Sequence, residues 1–175
     1  MARLEANGSA DDAAHFRSVF GHVPTAVTVV AGLDESGAPV GLTIGSFASV
    51  SLAPPLAGFF VATSSSSSWS RMAGRGSFCA SVLTSAQDEL CWRFARDPAP
   101  GTDSRFDGVA WSESPAGLPI IDGACAWIEC AVESEAPAGD HRFVLARVTA
   151  LESMPHAGGA MVFYRGRTGG ASFAG

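Results

Sequence analysis

Short hydrophobic runs, rich in β-branched and aromatic residues, alternate with polar turns along most of the chain. Runs of this length, bounded by Gly, Pro, Asp and Ser, predict strands rather than helices. The predicted strands cover residues 25–32, 39–46, 56–62, 77–83, 125–135, 142–152 and 160–165. Because no regular strand–helix–strand alternation connects them, the pattern predicts an antiparallel, mainly β barrel with a few peripheral helices.

Three helices are predicted beside the strands. The first follows Asp11 and Asp12 and carries apolar residues at helical spacing, namely Phe16, Val19, Phe20 and Val23. A second, short helix begins near Trp69. The third begins at residues 85–88, where Ser-Ala-Gln-Asp resembles a capping box, and ends before Pro98.

Two adjacent prolines interrupt the pattern before the third predicted strand. Pro54 and Pro55 cannot donate to a strand ladder, so residues 51–55 are expected to form an extended, irregular entry. We therefore expect this strand to start at Leu56.

Length and composition indicate one compact domain. The chain has 175 residues, 47% of them hydrophobic, which is enough for a core without a metal or disulfide. Residues 1–10 are small and polar and predict a loose tail ahead of a single domain over residues 11–175. The chain shows no charged-then-apolar leader and no apolar stretch near the ~20 residues that span a bilayer. We expect a cytoplasmic protein with no membrane partner.

The charge of the chain argues against nucleic acid as a partner. The formal net charge is −6, and the basic residues are eleven scattered arginines with no lysine. Binding to a nucleic-acid backbone depends on a basic patch, which this pattern does not provide. A single small phosphate remains compatible with it, held by backbone N–H groups, hydroxyls or one arginine.

The four cysteines do not form a metal-binding pattern. Cys79, Cys91, Cys125 and Cys130 contain no C-x-x-C pair, and each lies in an apolar or helical context. Buried free thiols are therefore favoured over disulfides and over structural zinc.

Motifs of self-sufficient hydrolases and nucleotide-binding loops are missing from the sequence: it has no G-x-S-x-G, H-E-x-x-H, P-loop or helix-opening G-x-G-x-x-G. Residues 41–51 are instead rich in glycine and hydroxyls, with donors at Thr43, Ser46, Ser49 and Ser51. Small residues would let the backbone approach a flat ligand. The same segment also fits a Ser/Thr-rich edge strand without a ligand.

Seven short motifs occur in an order that identifies a family. They are PVGLTIGSFASVSLAPPL (39–56), FCASVL (78–83), RF (93–94), GLPIIDG (117–123), EC (129–130), GDH (139–141) and FYRG (163–166). In this order the chain resembles the flavin reductase domain family, and within it the small reductase component of two-component flavin-dependent monooxygenases. The resemblance runs from about residue 16 to residue 167.

The resemblance implies an antiparallel Greek-key split β-barrel that binds FMN, usually as a homodimer. It implies an NAD(P)H-dependent flavin reductase, which transfers hydride to FMN or FAD and supplies reduced flavin to a separate oxygenase. NADH is favoured over NADPH because the chain has no Lys/Arg cluster for a 2′-phosphate.

The family also implies a set of flavin-binding residues. Those that would lie along the flavin are Pro39, Val40, Gly41, Leu42, Thr43, Gly45, Ser46, Phe47 and Ser49. Those near the ribityl phosphate would be Ala62, Thr63, Ser67 and Ser68. Arg93 and Phe94 match a helix-borne pair with the arginine at the phosphate, and Arg71 is an alternative because the phosphate loop is a serine run. On the residues alone, Arg93 also fits a solvated helix arginine.

For the nicotinamide, the resemblance implies that His141 orients the carboxamide as the catalytic residue, while hydride passes directly between the rings. The cleft would be lined by Met161, Val162, Phe163 and Tyr164. From the residues alone, Gly139-Asp140-His141 also fits an ordinary turn and residues 161–164 an apolar core strand.

Two other functions are compatible with this barrel. One is an FMN-dependent oxidase resembling the pyridoxamine-phosphate oxidases, and the other is a non-catalytic flavin-binding module. The GDH and SFASVS motifs favour the reductase.

Overall fold

A computed structural model describes residues 10–63, 68–96, 105–154 and 158–171 of the chain. Within these ranges the chain forms three helices, α1 (Ala10–Phe20), α2 (Ser68–Ala73) and α3 (Asp88–Ala95). The predicted tail over residues 1–10 lies outside the described residues except for Ala10, which begins α1. All three predicted helices are therefore present.

Strands make up most of the described chain. They are β1 (Thr25–Ala26), β2 (Thr28–Leu33), β3 (Pro39–Ile44), β4 (Ala48–Leu52), β5 (Pro55–Ala62), β6 (Ser77–Val82), β7 (Trp111–Glu113), β8 (Pro119–Ile121), β9 (Ala126–Ala138), β10 (His141–Ser153), β11 (Met161–Tyr164) and β12 (Arg167–Gly170).

Seven strands form the main antiparallel sheet, in the order β3-β2-β6-β9-β10-β5-β4. Its two ends pack around one core, because Val40 and Ile44 of β3 share a buried cluster with Phe59 and Val61 of β5. The sheet thus curls into a barrel with small helices at its periphery. This confirms the predicted mainly β, antiparallel split barrel.

A second, three-stranded sheet (β1-β11-β12) joins the barrel at Val27. The sequence predicts one strand over residues 25–32, but Val27 divides it into β1 and β2. The N–H of Val27 donates to the Met161 carbonyl at 3.2 Å, and its carbonyl accepts from the Leu83 N–H at 3.0 Å. One polypeptide segment therefore belongs to both sheets.

The sequence pattern missed four strands. β4 pairs with β5 and overlaps the expected irregular segment, 51–55, only at Ser51 and Leu52; β5 starts at Pro55 rather than Leu56. A proline as the first residue of a strand costs no ladder hydrogen bond. The other three, β7, β8 and β12, have only three or four residues each, too few for a visible alternation.

The capping box before α3 is shifted by one residue from its predicted place. Gln87 Oε1 accepts from the Thr84 N–H at 3.0 Å, so the box joins Thr84 and Gln87 rather than Ser85 and Asp88. It encloses a single 3₁₀ turn over Ser85–Gln87, and α3 follows directly. The buried residues of α3, Cys91 and Phe94, pack into a second core cluster.

All four cysteines are free, and three of them are buried. This agrees with the expectation of free thiols. In the part of the chain that the structure describes, no group of three His, Cys, Asp or Glu side chains could hold a metal ion. None of the described helices combines the length and the hydropathy needed to cross a bilayer.

Candidate functional site

A cleft of about 1160 Å³ opens where α1, β3, the end of β5, the start of β10 and the turn after β11 meet. The predicted site residues that line it are Leu42, Thr43, Gly45, Ser46, Ala62, Ser68, Phe94, His141 and Phe163. These nine residues come from six separate parts of the chain. The fold therefore brings a large share of the predicted site to one place.

The floor of the cleft is formed by residues 42–46. Their hydroxyls are held by the protein: Thr43 Oγ1 donates to the Cys91 carbonyl at 2.8 Å. Ser46 Oγ accepts from the Phe60 N–H at 2.9 Å and donates to the Phe60 carbonyl at 3.3 Å. These hydroxyls fix β3 to α3 and β5, so the floor offers a ligand a preorganised surface.

Gly45 is the point of closest approach on this floor. A Cβ at this position would lie 3.1 Å from Thr25 Oγ1, which is tighter than ordinary van der Waals contact. Gly45 and Ser46 also follow Ile44, the last residue of β3 in register with β2. A side chain at position 45 would therefore crowd Thr25, whereas glycine leaves the backbone uncovered here.

Five of the nine residues predicted to lie along the flavin do not line the cleft. Val40 is fully buried in the barrel core, and a Cβ on Gly41 would meet the rings of Phe94 and Phe106 at 3.2 and 3.3 Å. The others outside the lining are Pro39, Phe47 and Ser49. Because Gly41 has no side chain, the rings of Phe94 and Phe106 can pack against its backbone.

The predicted phosphate segment is only partly described. Ala62 and Ser68 line the cleft, whereas Ser67 lies outside the described residues. Thr63 is outside the lining, and its N–H and Oγ1 donate to the Asp140 carbonyl at 3.1 and 2.9 Å. Thr63 thus anchors the end of β5 to the turn before β10.

Arg93 is not where the sequence predicts it, at the phosphate end of the cleft. Its Nη1 donates to the Asp107 carbonyl and its Nη2 to Glu89 Oε1, each at 3.0 Å. It borders a smaller surface cavity of about 640 Å³ beside α3. Successive residues of a helix point about 100° apart, so Phe94 faces the cleft while Arg93 turns away.

The alternative arginine, Arg71, also lies outside the cleft lining. Its Nη2 contacts Asp34 Oδ2 at 2.7 Å. Hydrogen bonds from Ser36 and from Arg71 hold the pKa of Asp34 well below its usual range. Arg71 therefore secures the turn between β2 and β3.

Three arginines that sequence reasoning missed do line the cleft: Arg17 in α1, Arg165 in the turn after β11, and Arg105. The backbones of Arg17 and Arg165 both contact Gly21, just beyond α1: the Gly21 N–H donates to the Arg17 carbonyl at 2.9 Å, and the Arg165 N–H donates to the Gly21 carbonyl at 2.9 Å. Arg165 stands in the FYRG motif (163–166), whereas Arg17 and Arg105 stand in none of the seven motifs. Only the fold could place them in one cleft.

His141 is the first residue of β10 and lines the cleft opposite its register partner on β5, Ala62. Its Nδ1 lies 2.7 Å from Asp140 Oδ1. This hydrogen bond, together with the charge of the ring, keeps the pKa of Asp140 below its usual value. Nε2 is then the ring nitrogen left to meet a ligand.

Only one residue of the predicted nicotinamide strand reaches the cleft. Phe163 lines it, and Met161, on the same face of β11, is fully buried in the second core cluster. Val162 and Tyr164 point to the other face, where they border a separate small cavity. The alternation of side chains along a strand explains the split.

The outer wall of the cleft is apolar and exposed. Phe16 and Phe20 of α1 stack at a centroid distance of 4.3 Å and are 46% and 56% exposed. Val23 is exposed as well and also lines the cleft. The apolar residues whose spacing predicts α1 therefore border the cleft and do not pack into the core.

The lining of the cleft combines apolar surface with cationic side chains. The cleft volume of about 1160 Å³ exceeds the ~300–1,000 Å³ of common small-molecule pockets. Phe94, Phe163 and Gly45 provide flat or small surfaces, and Arg105 provides a cation. A flavin with a phosphate has the complementary parts, a flat ring and an anion.

Comparison with known proteins agrees with this geometry. The domain described as "Flavin reductase like domain" matches residues 20–172. The flavin reductase of Pseudomonas putida is 41% identical over 162 residues, covering 93% of this chain and 92% of that protein. The reductase subunit HsaB of a flavin-dependent monooxygenase from Rhodococcus jostii is 40% identical, covering 89% of this chain and 76% of that protein.

A solved structure shows the same architecture. The NADH:FAD oxidoreductase SgcE6 of Streptomyces globisporus superposes with a TM-score of 0.84 at 36% identity. The match covers 98% of this chain and 99% of that one. The barrel and the cleft-forming elements are thus shared over nearly the whole length.

Proposed function

The chain belongs to the flavin reductase like domain family, and we propose that it is an NAD(P)H-dependent flavin reductase that supplies reduced flavin to a separate monooxygenase. The observation that carries this function is the single cleft that gathers the floor over residues 42–46, Phe94, His141 and Phe163. Identity to a flavin reductase over 93% of the chain supports it.

Flavin supplies the redox chemistry, since its ring accepts hydride directly from the nicotinamide. The chain's own task is then to hold two flat rings in contact and to exclude water between them. Residues 42–46 are the surface for the flavin ring, with Gly45 allowing the closest approach. No side chain of the cleft has to act as a nucleophile.

His141 is proposed to orient the nicotinamide. Its Nδ1 is hydrogen-bonded to Asp140 Oδ1, so Nε2 is the ring nitrogen available to the carboxamide. The ring sits at the end of β5, where Thr63 ties the strand to the Asp140 carbonyl. This anchoring holds the His141 backbone in place and reduces the entropy lost when nicotinamide binds.

NADH is the proposed hydride donor rather than NADPH. The arginines lining the cleft are Arg17, Arg105 and Arg165, and they belong to different elements rather than to one cluster. A relative of known structure, 36% identical, is an NADH:FAD oxidoreductase. The four free thiols fit a reducing compartment, so we place the enzyme in the cytoplasm.

A homodimer is the proposed active unit. Phe16, Phe20 and Val23 expose apolar surface along the lining of the cleft. A second copy of the chain over this wall would bury that surface and close the site against water.

The function is tested by measuring NADH and NADPH oxidation with FMN, FAD and riboflavin in all six combinations. We expect turnover with FMN or FAD that is faster with NADH. Protein that is folded and binds flavin, but oxidises neither nicotinamide above background, would rule out the reductase and leave the flavin-binding module. Oxidation of an amine substrate by the bound flavin would favour the oxidase.

A further inference from the structure

Glu135 of β9 is a half-buried carboxylate that bonds two other elements. Its Oε1 accepts from Trp69 Nε1 of α2 at 2.9 Å, and its Oε2 accepts from Arg142 Nη1 of β10 at 2.9 Å. The Glu135 side chain is 23% exposed, so water screens these contacts less than it screens a pair on the open surface. One carboxylate therefore joins α2 to β10.

Trp69 gives one end of this connection a fixed place. It is 4% exposed, and its ring packs edge-on against Phe59 and Phe78, with ring centroids 5.2 and 5.8 Å apart. A buried indole N–H needs an acceptor, which Glu135 supplies. Packing in the core thus determines where Glu135 Oε1 is held.

The helix that carries Trp69 is also anchored to the turn between β2 and β3. Arg71 Nη2 donates to Asp34 Oδ2 at 2.7 Å. Arg75, just beyond α2, donates from Nε to the Asp34 carbonyl at 2.8 Å. Because α2 is held in this way, a residue bonded to Trp69 takes its position from a fixed support.

Arg142 forms the other end of the connection, directly after His141 in β10. Its backbone pairs with Val61 of β5 and with Pro137 of β9. The Arg142 side chain is 57% exposed, so its ion pair with Glu135 contributes little to stability. The charge-assisted bond is directional, however, and it ties the start of β10 to Glu135.

The bridge formed by Trp69, Glu135 and Arg142 adjoins the cleft at both ends. Ser68, which precedes Trp69, and His141, which precedes Arg142, both line the cleft. The three bridge residues themselves lie outside its lining. The bridge therefore acts on the cleft through neighbouring residues, by setting the position of the start of β10 relative to α2.

From these contacts we infer that Glu135 is a positioning residue for hydride transfer, which holds the start of β10, and with it His141, in place through the bridge. This inference rests on the proposed flavin reductase function. The floor proposed for the flavin ring is fixed separately, through the hydroxyls of Thr43 and Ser46. A misplacement of 1 Å costs about 10²-fold in rate. A small displacement of β10 thus slows reduction while the flavin floor stays intact.

The test is stopped-flow reduction of pre-bound flavin in Glu135→Gln, Arg142→Met and Trp69→Phe, with the limiting rate measured at saturating NADH. The first two variants remove the charge-assisted bond, and the third removes the indole donor but keeps an aromatic ring. We expect each to lower the limiting rate about three- to tenfold, less than the cost of a 1 Å displacement. Flavin affinity should change by less than about twofold, because the floor is untouched.

A double variant separates a bridge from two independent contacts. Trp69→Phe combined with Arg142→Met should reduce flavin no more slowly than the single variants, because either change already breaks the bridge. Losses that multiply in the double variant would show two unconnected contributions and would overturn the inference.

Glu133→Gln is the matched control. Glu133 also lies on β9 and forms an ion pair with an arginine of β10, Arg147, but neither residue lines the cleft. The control removes the same charge from the same strand and should keep the wild-type limiting rate. Circular dichroism and thermal melts check folding. Glu135→Gln and Arg142→Met change partly exposed side chains, so these two variants decide the test if Trp69→Phe does not fold.

Two further outcomes would overturn the inference. If Glu135→Gln and Arg142→Met lower the melting temperature but keep the wild-type limiting rate, the bridge serves stability alone. If Glu133→Gln lowers the limiting rate as much as Glu135→Gln, the effect follows from the loss of charge and not from the position of β10.

The proposed function and this inference fail in different ways. If the wild-type protein does not reduce bound flavin with NADH, the flavin reductase function itself fails. If the wild-type protein does so and folded Glu135→Gln reduces flavin at the same limiting rate, only the assignment of Glu135 is wrong.

Discussion

At the scale of residues, linear motifs located the floor of the cleft but not its charges. Leu42, Thr43, Gly45, Ser46 and His141 could be predicted because each belongs to a motif whose order along the chain is informative, and Ala62 lies at the end of a predicted strand. That Arg93 borders the smaller cavity and not the cleft could not be predicted, because its direction depends on the rotation of α3 about its axis. Arg105 has no motif neighbour that signals a role, and only its position in the fold brings it into the cleft.

His141→Ala is expected to impair the nicotinamide step alone. The ring touches the ligand that arrives after flavin, so flavin affinity should be unchanged while the reduction of bound flavin slows or needs more NADH. Stopped-flow reduction of pre-bound flavin over a range of NADH concentrations measures this. His15→Ala is a control, since His15 is exposed on α1 and outside the cleft lining. Reduction at the wild-type rate at every NADH concentration would show that His141 has no such role.

At the scale of elements, the main strands were predictable because each is a run of β-branched and aromatic residues bounded by turn residues, as in β2 and β6, which are buried along nearly their whole length. β4 and β12 were not, since β4 is exposed along nearly its whole length and β12 has the sequence Arg-Thr-Gly-Gly. The sequence pattern did not show the division of β1 from β2 at Val27 either. Its cause is pairing with Met161, which is far away in the sequence.

The hairpin of β7 and β8 is held to the barrel by a buried carboxylate, Glu129 of β9. Its Oε2 accepts from Ser114 Oγ at 2.6 Å and from the Ala116 N–H at 2.8 Å, and its Oε1 accepts from Thr149 Oγ1 at 2.7 Å. Burial opposes the charge, but the hydrogen bonds together outweigh burial and lower the pKa of Glu129. The hairpin is therefore secured by an ionised side chain.

Glu129→Gln should destabilise the protein at neutral pH by about 1–3 kcal/mol, the range for a lost hydrogen bond to a charged group. Because the folded-state pKa is lowered, this stabilisation is present above the glutamate's ordinary pKa of about 4.3 and is lost as pH falls through the folded value. The difference in melting temperature between wild type and variant should thus narrow on acidification. Thermal melts from neutral pH down to about pH 2, well below the ordinary glutamate pKa, measure this. A constant difference would show that Glu129 contributes through shape alone.

At the scale of the whole molecule, the site depends on the junction between two sheets and on α1. Sequence patterns predicted the barrel and α1, yet the apolar face of α1 borders the cleft with Phe16 and Phe20 exposed. Hydrophobic spacing reports that a face is apolar and cannot report what covers it. Which distant residues share a cleft is likewise set by tertiary packing.

The exposed wall of α1 predicts a dimer in solution. Light scattering should give about twice the chain mass of 17.9 kDa. Phe20→Ser should shift the protein toward monomer and lower its affinity for flavin or for the nicotinamide. Val50→Ser is a control that removes exposed apolar surface from β4, away from the cleft lining. A wild-type monomer with full flavin affinity and activity would contradict the dimer.

The central claim is that the chain reduces flavin with NADH and then releases it. The direct measurement is anaerobic bleaching of a large molar excess of FMN or FAD by NADH, with the protein present in catalytic amount. The account predicts that many equivalents of flavin are reduced per protein chain, because reduced flavin leaves the cleft and oxidised flavin replaces it. Bleaching that stops at one equivalent per chain, or that does not exceed the rate without protein, would contradict it.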